Sequence, residues 1–231
     1  MCGRFVRKLT VDEISEEFDA AISDDCTLEP SFNVAPTQQV AVVVQDGVKQ
    51  IVGVRWGLIP SWSDDPRVGN KLINARAETV ATKAAFRDSF RDRRCLVVAD
   101  GFYEWKKAGP MKLPVYVSLK SGKPFGFAGL WERWKSPEGE WVTTCTVITT
   151  TANDVMQPIH DRMPVILPRE LEDQWLDPET DESALLDLLK PYPPDAMETR
   201  YVSSVVNSTK IDSPECLGPA EEPEAPTLFD M

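Results

Sequence analysis

The chain has a single histidine, His160, and no clustered cysteines, and these two shortages set the first limits on its chemistry. Any histidine-dependent step must use His160. The cysteines (Cys2, Cys26, Cys95, Cys145 and Cys216) are odd in number, widely scattered and outside any CxxC or Cys/His pattern. Such spacing argues against a disulfide scaffold and against structural zinc, so neither a metal nor a cofactor is expected. No apolar run approaches the length of about 18 residues that a membrane-spanning helix needs. A basic stretch followed by an apolar one, the mark of a secretory signal, is missing from the start. These absences predict a reduced, cytoplasmic protein with no membrane partner.

Basic residues are also scarce, 25 against 37 acidic ones, for a net charge of -12. Taken alone, this opposes nonspecific nucleic-acid binding, because affinity for phosphate comes from Lys and Arg. The charge is nevertheless uneven. Acidic residues crowd Asp12–Asp25, Glu170–Asp187 and the segment after Ile211, whereas basic ones gather at Arg4–Lys8, Arg87–Arg94 and Lys106–Lys112. A local basic groove is compatible with the total.

What is present suffices for one globular domain, with 231 residues of which 42% are hydrophobic. Thr10-Val11-Asp12-Glu13 is a capping-box pattern and predicts a short helix to about Phe18. Two β-branched runs flank Asp46-Gly47 in "QVAVVVQDGVKQIVGVRW", a strong hairpin signal. "GLIPSWSDDPRVGN" reads as a long loop with an exposed Trp62, and "ARAETVATKAAFRDSFRD" is helical in propensity. Strand candidates follow at Cys95–Ala99, Val115–Leu119, Phe125–Trp131 and Trp141–Thr150, then a helical stretch near Leu171–Leu189 and a strand in "RYVSSVVN". The fold class is α+β, with a curved antiparallel sheet or partial β-barrel core and peripheral helices. Residues 1–211 form the expected domain, and 212–231, dominated by Pro and Glu, form an expected disordered acidic tail.

Four short stretches carry candidate chemistry. Cys2 follows Met1 directly; if Met1 is removed, its thiol and an α-amine sit on neighbouring carbons. His160 lies in "QPIHDRMP", a loop leaving a strand end, where functional side chains concentrate, although a lone histidine is often structural. Glu104, between Tyr103 and Trp105 in "DGFYEW", suits a general acid, although spacing alone favours an edge-strand glutamate facing water. In "INARAET" a period of two places Asn74, Arg76 and Glu78 on one face, fit for phosphate or sugar oxygens; the alternative is a helix-capping Asn beside an Arg–Glu pair. Trp62 in its loop can stack on a nucleobase, although most of the seven tryptophans must serve the core.

"MCGRF", "INARAET", "GFYEW" and "IHDRMP" occur in this order, with "SFNVAPTQQ" and "RWGLIPSW" between them. With this set the chain resembles the SOS-response-associated peptidase (SRAP) family, proteins that crosslink to abasic sites in single-stranded DNA. The resemblance runs from Cys2 to about Asn207; the acidic charge and tail are the chain's own. It implies an SRAP-like fold and a DNA-damage enzyme with cysteine autopeptidase and Schiff-base, lyase-like chemistry. It also implies a monomer whose partner is single-stranded DNA containing abasic sites, and a nucleoid location if the source is bacterial. By similarity Cys2, Asn74, Glu104 and His160 are catalytic. Arg4, Arg76 and Arg162 hold phosphates, Pro36 and Trp62 pack against bases, and Asn33 and Thr149 belong to the same DNA-binding set.

The implied chemistry fits an N-terminal cysteine. An α-amine has a pKa of about 7.7–8.0, so roughly a quarter is neutral near pH 7.4 and able to attack the aldehyde of a ring-opened abasic sugar. The adjacent thiol then closes a thiazolidine. Two other functions stay open on the residues alone: a peptidase or amidase acting on other molecules through Cys2 and His160, and a non-catalytic reader of modified single-stranded DNA. Leu228-Phe229 in the tail is either chance composition or a short motif for a sliding clamp.

Overall fold

A computed structural model describes residues 2–220. The strands are β1 (Phe5–Arg7), β2 (Ala21–Ile22), β3 (Ser31–Val34), β4 (Gln39–Asp46), β5 (Val48–Trp56), β6 (Asn74–Arg76) and β7 (Arg94–Ala99). They continue as β8 (Gly101–Ala108), β9 (Met111–Leu119), β10 (Phe125–Lys135), β11 (Trp141–Thr151), β12 (Arg162–Pro164) and β13 (Met197–Tyr201). The helices are short: α1 (Val11–Phe18), α2 (Arg87–Asp92), α3 (Glu172–Leu176) and α4 (Glu182–Leu188).

Antiparallel pairing links β11, β10, β7, β4 and β5 in succession. The end of β5 then pairs parallel with β11, Thr144 with Arg55 and Cys145 with Trp56, which closes a five-stranded mixed barrel. A second sheet runs in the order β13-β9-β8-β1-β3. Together with the few short helices, this is the α+β barrel core that the strand pattern predicts.

Alternation within each strand feeds two apolar clusters. Val42, Val44, Val97, Phe127 and Val147 join Phe5, Phe102 and Val117 of the second sheet. Ala41, Val43, Leu96, Val98 and Ile148 point the other way, onto Phe18 of α1, Phe90 of α2 and Trp175 of α3. Burial on both faces explains why β4 and β7 read as continuous apolar runs rather than as alternating ones. The β4–β5 hairpin turns at Gly47, whose φ of 71° favours glycine. At the start of β8 only glycine fits position 101, since a Cβ there would lie 2.4 Å from the Tyr116 ring. That close approach fixes the path of the strand that carries Glu104.

Four expectations need correction. Residues 77–92 do not form one helix: Ala77–Thr79 and α2 are separate pieces. The buried residues there, Val80, Phe86 and Phe90, start with a gap of six, which a single helical face does not provide. The stretch 171–189 breaks into α3 and α4 around Pro178, with Asp181 capping the second through Ala184 N–H at 2.9 Å. "RYVSSVVN" is a strand only to Tyr201, then a 3-10 turn over Ser204–Asn207 that drives Val206 into a third cluster. The predicted tail is not uniform, because residues 212–220 are packed. Asp212 accepts hydrogen bonds from Ser31 Oγ at 2.8 Å and Phe32 N–H at 2.6 Å, and Cys216 is buried against Val6 and Tyr103. A few apolar residues and one satisfied carboxylate outweigh the disorder-like composition. Leu228 and Phe229 lie outside the described residues.

Burial of a carboxyl in α3 gives the fold a pH signature. Glu172 is 4% exposed and accepts a 2.5 Å ion-pair contact from Arg169. Burial, opposed by Arg169, pushes its carboxyl from 4.5 up to about 7. The folded state therefore holds a proton that the unfolded chain has lost. The contribution is fully present below pH 4.5 and is lost as pH rises through about 7. Between about pH 5 and pH 8 wild type should lose roughly 2–3 kcal/mol from this group, a loss that Glu172→Gln removes. Urea unfolding at the two pH values checks this; parallel pH dependence in the two proteins would refute it.

Candidate active site

Two strand pairings bring the ends of distant segments onto Cys2. Phe5 pairs with Phe102, and Tyr103 N–H donates to Arg4 O at 2.9 Å, so residues 2–4 run beside Tyr103–Trp105 of β8. From the other side β6 lies parallel on β11, with Asn74 opposite Val147 and Arg76 opposite Thr149. Asn74 Nδ2 then donates to the Cys2 carbonyl at 2.7 Å. Asn74 Oδ1 is buried and has no hydrogen-bond partner among the described residues. A buried acceptor of this kind calls for a donor.

Cys2 is fully buried, and its thiol is pushed well above the ordinary range, first by burial and then by the negative charge of Glu104. The backbone N–H of Arg4 works against both, without reversing them. The sulfur is therefore held as S–H, with a carboxylate close enough to oppose its ionisation. Glu104 itself is 3% exposed and lines a cleft of about 790 Å³ together with Trp105 and His160. His160 Nδ1 accepts from Arg162 N–H at 3.0 Å, which in the neutral ring places the proton on Nε2. Asp161 Oδ1, 2.8 Å from the same Nδ1, is the partner available when the ring is protonated. Asn74 thus reaches the Cys2 carbonyl, the Glu104 charge acts on the Cys2 thiol, and Glu104 shares its cleft with His160.

The residues expected to contact DNA divide by exposure. Trp62 is 63% exposed, Arg76 is exposed and Pro36 is partly so. Arg4 turns inward, donating to Asn33 Oδ1 at 2.6 Å and Val206 O at 2.9 Å, with its guanidinium 5.7 Å from the Trp105 ring centre. Asn33 is fully buried, and its Nδ2 reaches the carbonyls of Ser208 at 2.9 Å and Ile211 at 2.6 Å. Its amide is consumed in anchoring Arg4 and the chain after β13, so it acts behind the surface. Thr149 is buried as well, and its carbonyl accepts from Arg162 Nη2 at 2.6 Å. Arg162 forms a two-point pair with Glu78, at 2.5 and 3.0 Å. Glu78 thus pairs with an arginine far along the chain, and that pairing holds its carboxyl below the usual range. Trp105 has a larger part than its role as a neighbour of Glu104 suggested. It lines the cleft, and its Nε1–H donates to Asn207 Oδ1 at 2.7 Å.

The fold is an α+β barrel in which Asn74 bonds the carbonyl of a buried cysteine at position 2 and Glu104 and His160 line one cleft. The chain belongs to the family described as SOS response associated peptidase (SRAP), which matches residues 1–209. It is 48% identical to the abasic site processing protein YoqW of Bacillus subtilis (strain 168) over 221 residues, 94% of this chain and 99% of that protein. It is 33% identical to the abasic site processing protein HMCES of Xenopus tropicalis over 265 residues, 94% of this chain and 78% of that one. Among solved structures, a protein of Bacteroides thetaiotaomicron superposes with a TM-score of 0.88 at 26% identity, covering 95% of this chain and all of the other. No helix of the described residues is long and apolar enough to cross a membrane.

Proposed function

We propose that the protein processes abasic sites in single-stranded DNA by forming a thiazolidine through Cys2 after Met1 is removed. The names of its relatives support the substrate class. The observation that carries the chemistry is the Asn74 hydrogen bond to the Cys2 carbonyl, beside a carboxyl that opposes ionisation of the Cys2 thiol.

The steps follow from those groups. Acid–base help from Glu104 and His160 opens the sugar hemiacetal to its aldehyde. The freed Cys2 amine, oriented by Asn74 Oδ1, adds to the aldehyde carbon; the Glu104 carboxyl then gives its proton to the departing oxygen, and loss of water leaves an iminium ion beside the Glu104 carboxylate. The thiol sulfur then bonds to that carbon, the C=N π pair returns to nitrogen, and the thiol proton passes to the Glu104 carboxylate. A thiol held as S–H with its base adjacent suits this order, in which the amine acts first. Ring closure is intramolecular and gains several kcal/mol, about 7 or more in well-oriented cases. The Cys2 and Glu104 pair also suits self-directed release of Met1, the peptidase activity of this reading. Arg76, Trp62 and Pro36 offer exposed contacts to the flanking strand.

The test compares two oligonucleotides that differ only at the lesion, an aldehyde-bearing abasic site and its tetrahydrofuran analogue. A denaturation-resistant species is expected with the first alone, without reductant. Equal yield from both would remove the aldehyde from the account.

A further inference from the structure

The cleft that holds Glu104 and His160 has a basic wall that the chemistry above does not use. Lys107 and Lys112 both line it, and they are direct cross-strand partners in the β8–β9 hairpin. The hairpin turns through Gly109, whose φ is 57°, followed by Pro110, a glycine-first turn that holds the two strands in tight register. Like charges placed directly opposite each other on a sheet cost stability. Neither lysine has an ion-pair partner among the described residues. The adjacent Lys106 contrasts with them, because its Nζ bonds Tyr201 Oη at 2.8 Å. The carboxylates of the same cleft are Glu104, held beside Cys2, and Asp161, 2.8 Å from His160. In a chain of net charge -12, two directly opposed lysines with no ion-pair partner among the described residues, both lining this cleft, carry a repulsion that an anion between them would relieve.

We infer that the β8–β9 hairpin is a phosphate clamp, in which Lys107 and Lys112 grip the DNA backbone as the strand enters the cleft. The inference rests on the DNA reading above and adds a binding element to it. Trp105 and Lys107 alternate on one face of β8, so the clamp lies about 7 Å along the strand from the tryptophan that flanks Glu104. A phosphodiester placed there relieves the repulsion between the lysines. The lesion is thereby presented to Cys2 from a fixed side.

The test is equilibrium binding of a single-stranded oligonucleotide carrying the tetrahydrofuran analogue, which has no aldehyde and so separates binding from crosslinking. For single strands each phosphate contact contributes about 0.7 to the slope of log K against log salt, so Lys107→Gln/Lys112→Gln should be shallower than wild type by about 1.4. Between about 50 and 200 mM salt, its affinity should then fall about sevenfold less than that of wild type. Lys120→Gln/Lys123→Gln, beyond the far end of β9 and about 25 Å from Lys112, should keep the wild-type slope. An unchanged slope in the first variant would overturn the clamp, and so would equal flattening in both, which indicates bulk charge. Melting should be unchanged or higher in Lys107→Gln/Lys112→Gln, since a repulsion is removed; a lower melting temperature would make the lysines structural and overturn the clamp. Wild type failing to bind is a failure of the DNA reading itself, visible before any variant is compared, and the clamp falls with it.

Discussion

Cys2→Ala, with Met1 removed, is expected to lower the denaturation-resistant adduct with abasic DNA at least about a hundredfold in the absence of reductant. The alanine amine can still reach the aldehyde, so an imine forms. Without sulfur on the neighbouring carbon the imine has no closing step and hydrolyses when the protein unfolds. Addition of borohydride should recover part of the adduct by trapping the imine. Recovery with reductant, and not without it, distinguishes a missing ring closure from a misfolded site. The stability cost should be small, because Cys2 lies at the end of the chain and loses only its sulfur from the packed cluster around Phe5 and Trp56. A wild-type yield from the alanine variant would mean that another group makes the bond.

Glu104→Gln is expected to slow adduct formation by roughly 10²–10⁴-fold, the usual worth of a positioned acid–base group. The substitution keeps the shape of a side chain that is 3% exposed, so the cleft should persist. It removes the acceptor for the thiol proton and the donor for the departing water. Binding of the tetrahydrofuran oligonucleotide should hold at the wild-type level, placing the loss in the chemical steps. A second effect should run the opposite way. Because the Glu104 charge helps to push the Cys2 thiol upward, its removal eases thiol ionisation. Alkylation of Cys2 by a small reagent should therefore speed up while crosslinking slows. If both rates fall together, Glu104 holds the site in shape and does not move protons.

The candidate site is legible in the sequence as a set of short motifs in order, each of them weak alone. The aromatic residues of "GFYEW" favour a strand, and its pairing with β1 is what brings Glu104 to Cys2. "INARAET" is legible only in part. Asn74 and Arg76 lie on β6, where a period of two holds, but Glu78 has left the strand and turns to Arg162. That pairing spans 84 positions, and no local pattern encodes it. Asn33 and Thr149 share this difficulty, since the sequence cannot tell a polar residue that meets a ligand from one that anchors the arginine behind it. The packed residues 212–220 were hidden for another reason. Composition reports average solubility, whereas Asp212 and Cys216 act through particular contacts, with Ser31 and Phe32 for the first and Val6 and Tyr103 for the second.

The claim at the centre is that one cysteine supplies both the amine and the sulfur, and intact mass measurement of the protein before and after incubation with abasic oligonucleotide tests it most directly. The account predicts that the reactive species lacks Met1 and that the adduct equals protein plus DNA less one water. Peptide mapping should place the DNA on Cys2 without reductant. An adduct on protein that retains Met1, or one mapped to any residue other than Cys2, would contradict it.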